Sequence, residues 1–259
     1  MTSDHDRPHH DAELRARRAS SFGAHASAYA EHRPDYPVEA VRWALKPVSS
    51  PTQLNVLDLA AGTGKLTGVL MTEGHRVTAV EPDEDMLSEL CRRHGNVRAL
   101  PGSAERIPLP DHAVDAVLVG QAFHWFDQER AMPEIARVLR RGGVLAGLWN
   151  ERDHAVGWVA DFAEITRSSV SSIGAAVDVM PPHPEFGEYE VAEFKYSFPR
   201  TAESLVETVR THSCALVIAE EEREALTERM LDFLRSHPET SHGEFEFPIT
   251  THGKRTVRR

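Results

Sequence analysis

Cysteine is nearly absent: 259 residues contain two, Cys91 and Cys214, far apart and without C-x-x-C spacing. This pattern points to two buried structural thiols in a reducing cytoplasm rather than a redox or zinc motif. Long apolar runs are also missing. None approaches the ~20 residues of a membrane span. The first ten residues are polar and have no apolar signal core. A soluble cytoplasmic protein is therefore expected, with no membrane partner. Basic residues are outnumbered, 29 Lys and Arg against 40 Asp and Glu, for a net charge of −11. That argues against a nucleic-acid-binding surface. The one basic cluster, Lys254-Arg255-Thr256-Val257-Arg258-Arg259, reads as a frayed polar tail. The 15 histidines are scattered and none has His-x-x-Glu-His spacing, so no metal is expected. What remains is 41% hydrophobic, ample for the core of one large α/β domain.

That core is organised around Val56 to Thr67. The stretch opens on an apolar run, Leu54 to Leu59, broken only by Asn55 and Asp58, as in a buried parallel strand. Small residues follow, Ala60-Ala61-Gly62-Thr63-Gly64, then a helical spacing of Leu66, Val69 and Leu70. Strand, glycine turn and helix make the first unit of a doubly wound nucleotide-binding sheet. Three ligands compete for such a turn. A P-loop needs glycine and a hydroxyl residue where this chain has Leu59 and Leu66. A dinucleotide fingerprint needs a third glycine where Thr67 stands. A carboxylate at Asp58 suits a cationic ligand with hydrogen-bond donors. S-adenosylmethionine has an ammonium, a sulfonium and ribose hydroxyls.

Asp58-Leu59-Ala60-Ala61-Gly62-Thr63-Gly64 resembles the first motif of class I S-adenosylmethionine-dependent methyltransferases. The likeness continues into Val77-Thr78-Ala79-Val80-Glu81-Pro82, a second strand tipped by a carboxylate. Glu81 lies about twenty residues past the glycine turn, where an acid commonly reaches ribose hydroxyls. The small-molecule branch, which includes trans-aconitate-type methyltransferases, is the nearest pattern. The resemblance implies a doubly wound, seven-stranded Rossmann-like α/β sheet, mostly parallel with a late antiparallel strand, plus an N-terminal helical cap. It also implies that Asp58, Ala60, Gly62, Gly64, Glu81 and Pro82 hold the cofactor. Ser103, Ala104 and Glu105 would edge the adenine, and Gln121 would also belong to the cofactor site. Tyr29, Arg33 and Tyr36 resemble a cap over the cofactor. Rings at Tyr29 and Tyr36 would face the sulfonium and Arg33 the methionine carboxylate.

Along the chain, residues 1–12 read as a disordered tail, 13–50 as cap helices, 51–150 as the cofactor-binding core and 151–259 as the substrate side. Asp11 to Glu31, with Phe22 and His25, is expected to be helical, as is Val38 to Lys46. Asp83 should cap a helix through Met86, Leu87, Leu90 and Cys91. Strands are expected at Val97 to Leu100, Ala116 to Gly120 and Val144 to Trp149. Between the last two, a helix from Asp127 to Arg140 should become regular only near Pro133. Later, helices are expected at Asp153 to Ser172, Ala202 to Leu216 and Glu220 to His237. Strands are expected at Glu193 to Pro199 and Glu244 to Thr251, and a loop at Ile173 to Tyr189.

Gln121-Ala122-Phe123-His124-Trp125-Phe126 follows the fourth strand, at the edge where such sheets bind ligands. There, Tyr36, His124, Trp125 and Trp149 would meet a small-molecule methyl acceptor, a carboxylate or hydroxyl. Transfer would proceed in line, largely through proximity and orientation. His124 is the candidate base if the acceptor must lose a proton, against a plain packing role. The alternatives are a nicotinamide-dependent oxidoreductase on the same sheet and a catalytically silent cofactor-binding protein.

Overall fold

Runs of Val, Leu and Ala without alternation require strands covered on both faces, and such a sheet forms. The computed structural model describes residues 26–48, 53–167, 180–211 and 218–259. Seven strands are β1 (Asn55–Leu59), β2 (Arg76–Glu81), β3 (Arg98–Pro101), β4 (Val114–Gly120), β5 (Leu139–Arg152), β6 (Glu190–Arg200) and β7 (Phe245–Val257). Their order is β3-β2-β1-β4-β5-β7-β6, with the last strand in sequence inserted between β5 and β6. The pairs β1–β2, β1–β4, β2–β3 and β4–β5 are parallel. This is the expected mostly parallel Rossmann-like sheet. The strand order reverses between β1 and β4, and ligands bind beyond the carboxyl ends of strands at such a point.

The described residues also form helices α1 (Ala26–His32), α2 (Val38–Leu45), α3 (Lys65–Thr72), α4 (Glu84–Arg93), α5 (Gln128–Val138), α6 (Gly157–Ile165), α7 (Ala202–Arg210) and α8 (Glu220–Ser236). They divide between two compact units. Pro34–Glu151, Asp178–Tyr196 and Thr250–Arg259 make one, and the other described residues make the second.

In the first unit the strands separate two apolar layers. Ala116 and Leu118 of β4 pack with Val56, Leu66, Leu70, Leu148 and the α2 residues Val41 and Leu45. Val117 and Val119 turn the other way, onto Leu57, Leu59, Leu145 and the α5 residues Met132 and Ile135. The second unit is mainly helical. There α7 packs on α1 and α8, and α8 on α6. A reciprocal cap between Thr201 and Ser204 starts α7.

Several expectations need correction. Helix α5 begins at Gln128 and carries Pro133 inside it. Proline forfeits one backbone bond there, on an exposed face. Cys91 is exposed, not buried, because α4 turns Met86, Glu89 and Leu90 inward. Cys214, Phe22, His25 and the 1–12 tail lie outside the described residues. Within 180–189 no helix or named strand forms, in keeping with the expected loop.

The basic C-terminus is not a frayed tail. Strand β7 runs on to Val257, and Arg258 bridges Phe186. Arg255 is only 6% exposed. Its guanidinium lies 4.3 Å from the Trp43 ring, bonds the Trp43 carbonyl and meets Glu190 at 2.6 Å. Charge suggested solvent, but Phe247, Ile249, Thr251, Gly253 and Arg255 continue one alternating buried face. Glu190 is largely exposed, so the stack and the carbonyl bond dominate. Arg255→Ala should cost about 2–3 kcal/mol. In urea unfolding the midpoint should fall with little change in slope. An unchanged midpoint would show that this strand is marginal to the fold.

Candidate functional site

At the tip of β1 the chain enters the left-handed region three times, at Ala60 (φ 56°), Gly62 (φ 56°) and Gly64 (φ 86°). Ala60 carries a Cβ and is strained there, a feature that concentrates at ligand sites. Gly64 starts α3, and a Cβ on it would fall 2.6 Å from the His94 ring. Beside Gly62, by contrast, nothing lies within 4 Å of where a Cβ would stand. The hydroxyl of Thr63 is buried and has no hydrogen-bond partner among the described residues.

Two carboxylates face this bend. Asp58, 1% exposed, accepts a 2.6 Å hydrogen bond at Oδ2 from the hydroxyl of Thr67. Its Oδ1 is buried with no partner among the described residues. Burial lifts its pKa to about 7, against the Thr67 hydrogen bond and with a smaller push from Glu81. Glu81 is 6% exposed and accepts from the N–H groups of Gly62 (2.8 Å) and Asp83 (3.0 Å). Burial raises its pKa too, and those two bonds oppose the rise. Glu81 thus clips the bend to the turn after β2, where exposed Pro82 follows and Asp83 caps α4. After β3, Ser103 bridges Arg106, Ala104 is buried, and Glu105 accepts from the Asp127 N–H at 2.9 Å.

The ends of β4 and β5 form the rest. Gln121 is left-handed (φ 57°) and donates from Nε2 to the Asn150 carbonyl at 2.8 Å. Asn150 in turn donates to the Asp35 carbonyl (3.2 Å) and accepts from Thr251 (2.6 Å). Tyr196 donates to the same Asp35 carbonyl (2.6 Å), and Lys65 meets the Asp35 carboxylate at 3.2 Å. The extended segment Pro34–Pro37 is thereby strapped to the carboxyl edge of the sheet. It lays buried Tyr36 on Gly120, where a Cβ would stand 2.5 Å from the tyrosine oxygen.

Tyr36 belongs to the α2 and α3 layer, whereas Trp149 packs on the α5 layer, its ring over Gly147 and its indole N–H buried without a partner among the described residues. The sheet separates these two candidate substrate residues. His124 and Trp125 stand together in a 3₁₀ turn, ring centroids 4.5 Å apart. Tyr29 and Arg33 belong to the other unit. There the Arg33 guanidinium lies 5.0 Å from the Tyr29 ring and bonds Thr211 through Oγ1 and the carbonyl. Thr67, Lys65 and Asn150 escaped the sequence reading. Only Thr67 had a signal, as the residue in the third-glycine position.

A family profile described as a methyltransferase domain matches residues 57–147. A Mycobacterium tuberculosis protein described as an uncharacterized methyltransferase is 40% identical over 218 residues, covering 84% of this chain and 87% of that one. The chain belongs to the class I S-adenosylmethionine-dependent methyltransferases. A malonyl-[acyl-carrier protein] O-methyltransferase of Pectobacterium atrosepticum is 38% identical over 104 residues, 40% of each chain. A solved structure of a candidate type II methyltransferase from Anaeromyxobacter dehalogenans is 26% identical, with TM-score 0.64. It covers 87% of this methyltransferase and 97% of itself.

The buried acid makes the stability of this methyltransferase depend on pH. Between the ordinary carboxylate pKa of 3.8 and about 7, folded Asp58 keeps a proton that the unfolded chain has lost. Its contribution is therefore full below that window and is lost as pH rises through 7. Asp58→Asn, which mimics the protonated acid, should melt above the wild type at pH 8 and converge with it near pH 4. The gain should be roughly 2–4 °C per kcal/mol relieved. Equal melting temperatures at pH 8 would mean that the carboxylate is not penalised.

Proposed function

We propose that this chain transfers a methyl group from S-adenosylmethionine to an oxygen of a small cytoplasmic molecule, a carboxylate or hydroxyl. The observation that carries the reading is Asp58 Oδ1, a buried carboxylate oxygen without a donor among the described residues, beside a left-handed, small-residue bend. A ligand ammonium supplies the missing donor, and the open space beside Gly62 admits ligand close to backbone. Glu81 takes the ribose hydroxyls, and Pro82 borders them. Ser103, Ala104 and Glu105 edge the adenine. Gln121, at the end of β4, is a further candidate for the cofactor. These residues fit the cofactor in charge and in hydrogen-bonding sense.

When bound, the sulfonium supplies a methyl carbon already activated toward nucleophiles. The work left to the protein is alignment and exclusion of water, and good alignment is worth roughly 7–11 kcal/mol. Trp125 and Trp149 are the proposed walls for the acceptor; Tyr36, on the other face of the sheet, is not one of them. A carboxylate acceptor needs no base, while a hydroxyl would give its proton to His124. Trans-aconitate-type acceptors, which are carboxylates, suit this economy. The O-methyl transfer in the name of the Pectobacterium relative supports an oxygen acceptor. Family membership favours this reading over an oxidoreductase.

Calorimetry with S-adenosylhomocysteine tests the cofactor assignment. Asp58→Ala and Glu81→Ala should each weaken binding by about tenfold or more, the worth of one charge-assisted hydrogen bond. Labelled methyl should appear on members of a carboxylic acid and phenol panel. Undiminished affinity in both variants would overturn the assignment. Binding with no transfer to any acceptor would leave a silent cofactor-binding protein.

A further inference from the structure

We infer that Thr67 is a positioning residue of the cofactor site: its hydroxyl holds Asp58 by Oδ2 and leaves Oδ1 as the one oxygen free to accept from a cationic ligand. The inference rests on the proposed cofactor role of Asp58. Thr67 is fully buried in the first turn of α3, and its hydroxyl crosses to β1 at 2.6 Å. A helical threonine ordinarily bonds a carbonyl on its own helix. Thr72, at the other end of α3, does so, donating to the Gly68 carbonyl at 2.9 Å. Thr67 instead gives its hydroxyl to another element. Its branched Cβ restricts χ1, so the oxygen position is set by the helix itself.

The surroundings leave Thr67 little competition. Asp58 is in register with Ala79 on β2 and Leu118 on β4, both apolar. Among the described residues, Glu81 on β2 is the ionisable group that acts on Asp58, and it opposes the charge. The charged residue of the first turn of α3, Lys65, meets Asp35. The threonine hydroxyl is therefore the chief group favouring the ionised form, and it also fixes which oxygen remains open. At the position where a dinucleotide turn requires glycine for close packing, this chain carries the hydroxyl that orients its acid.

The test compares Thr67→Val, which keeps the shape and loses the hydroxyl, with Thr67→Ser, which keeps the hydroxyl. S-adenosylhomocysteine affinity is measured by calorimetry from pH 5.5 to 9, and the Asp58 carboxyl is titrated by carbon NMR in the free protein. For Thr67→Val we expect about tenfold weaker binding at pH 7, shrinking toward pH 9, and an Asp58 midpoint moved upward. Thr67→Ser should restore both. Thr67→Ala repeats the measurement if valine disturbs the helix. Binding within twofold of wild type, or a loss equal at every pH with an unmoved Asp58 midpoint, would overturn the inference. Asp58→Asn separates the positioning role of Thr67 from the cofactor role of Asp58. If it abolishes binding while Thr67→Val does not, the positioning role alone fails. If it binds normally, the cofactor reading fails first.

Discussion

A carboxylate buried at the tip of a central strand is the constraint from which the site follows. Water would solvate Asp58 far better than the sheet does, so the free chain carries it at a cost. One hydrogen bond from Thr67 offsets part of that cost. The bond requires α3 to begin immediately beyond the bend, close against β1. Only small residues and left-handed torsions turn the chain that sharply, which accounts for Ala60, Gly62 and Gly64. Glu81 then ties the bend to the neighbouring strand through the Gly62 N–H. Two acids that oppose one another electrostatically are held together by the backbone and hydroxyl donors between them.

A second level of organisation lies at the carboxyl ends of β4 and β5. Gln121 and Ala60, both strained and neither glycine, end strands that are neighbours in the sheet. Such strain persists only where surrounding bonds over-determine it. At Gln121 the bonds run through Asn150, which also anchors Asp35 and Thr251. Segments more than a hundred residues apart in sequence are thereby joined around one amide. Gly120 completes the arrangement, since any side chain there would displace Tyr36.

The errors of the sequence reading share a cause. Arg255 was assigned to solvent because charge usually is, yet its stem follows the alternation of β7 and its head stacks on Trp43. Cys91 was assigned to the core because an isolated cysteine is usually a buried thiol, but α4 turns Met86, Glu89 and Leu90 inward and leaves Cys91 exposed. Pro133 was read as a helix start, and packing of Ala131, Met132, Ile135 and Ala136 kept the helix continuous around it. Each time, a single-residue tendency gave way to the face on which the folded element placed the residue.

The strands of the parallel core, the glycine bend and the acids at Asp58 and Glu81 were legible in the order of residues. Buried strands and tight turns are dictated by short-range patterning, and a carboxylate inside an apolar run is conspicuous. Tertiary structure alone decided that Thr67 grips Asp58, that Asn150 fastens the Asp35 segment, and that Tyr36 and Trp149 stand on opposite faces of the sheet. Those facts depend on which elements come to lie side by side. No local pattern encodes them, because a hydroxyl or amide reads the same whether its partner is water or a distant strand.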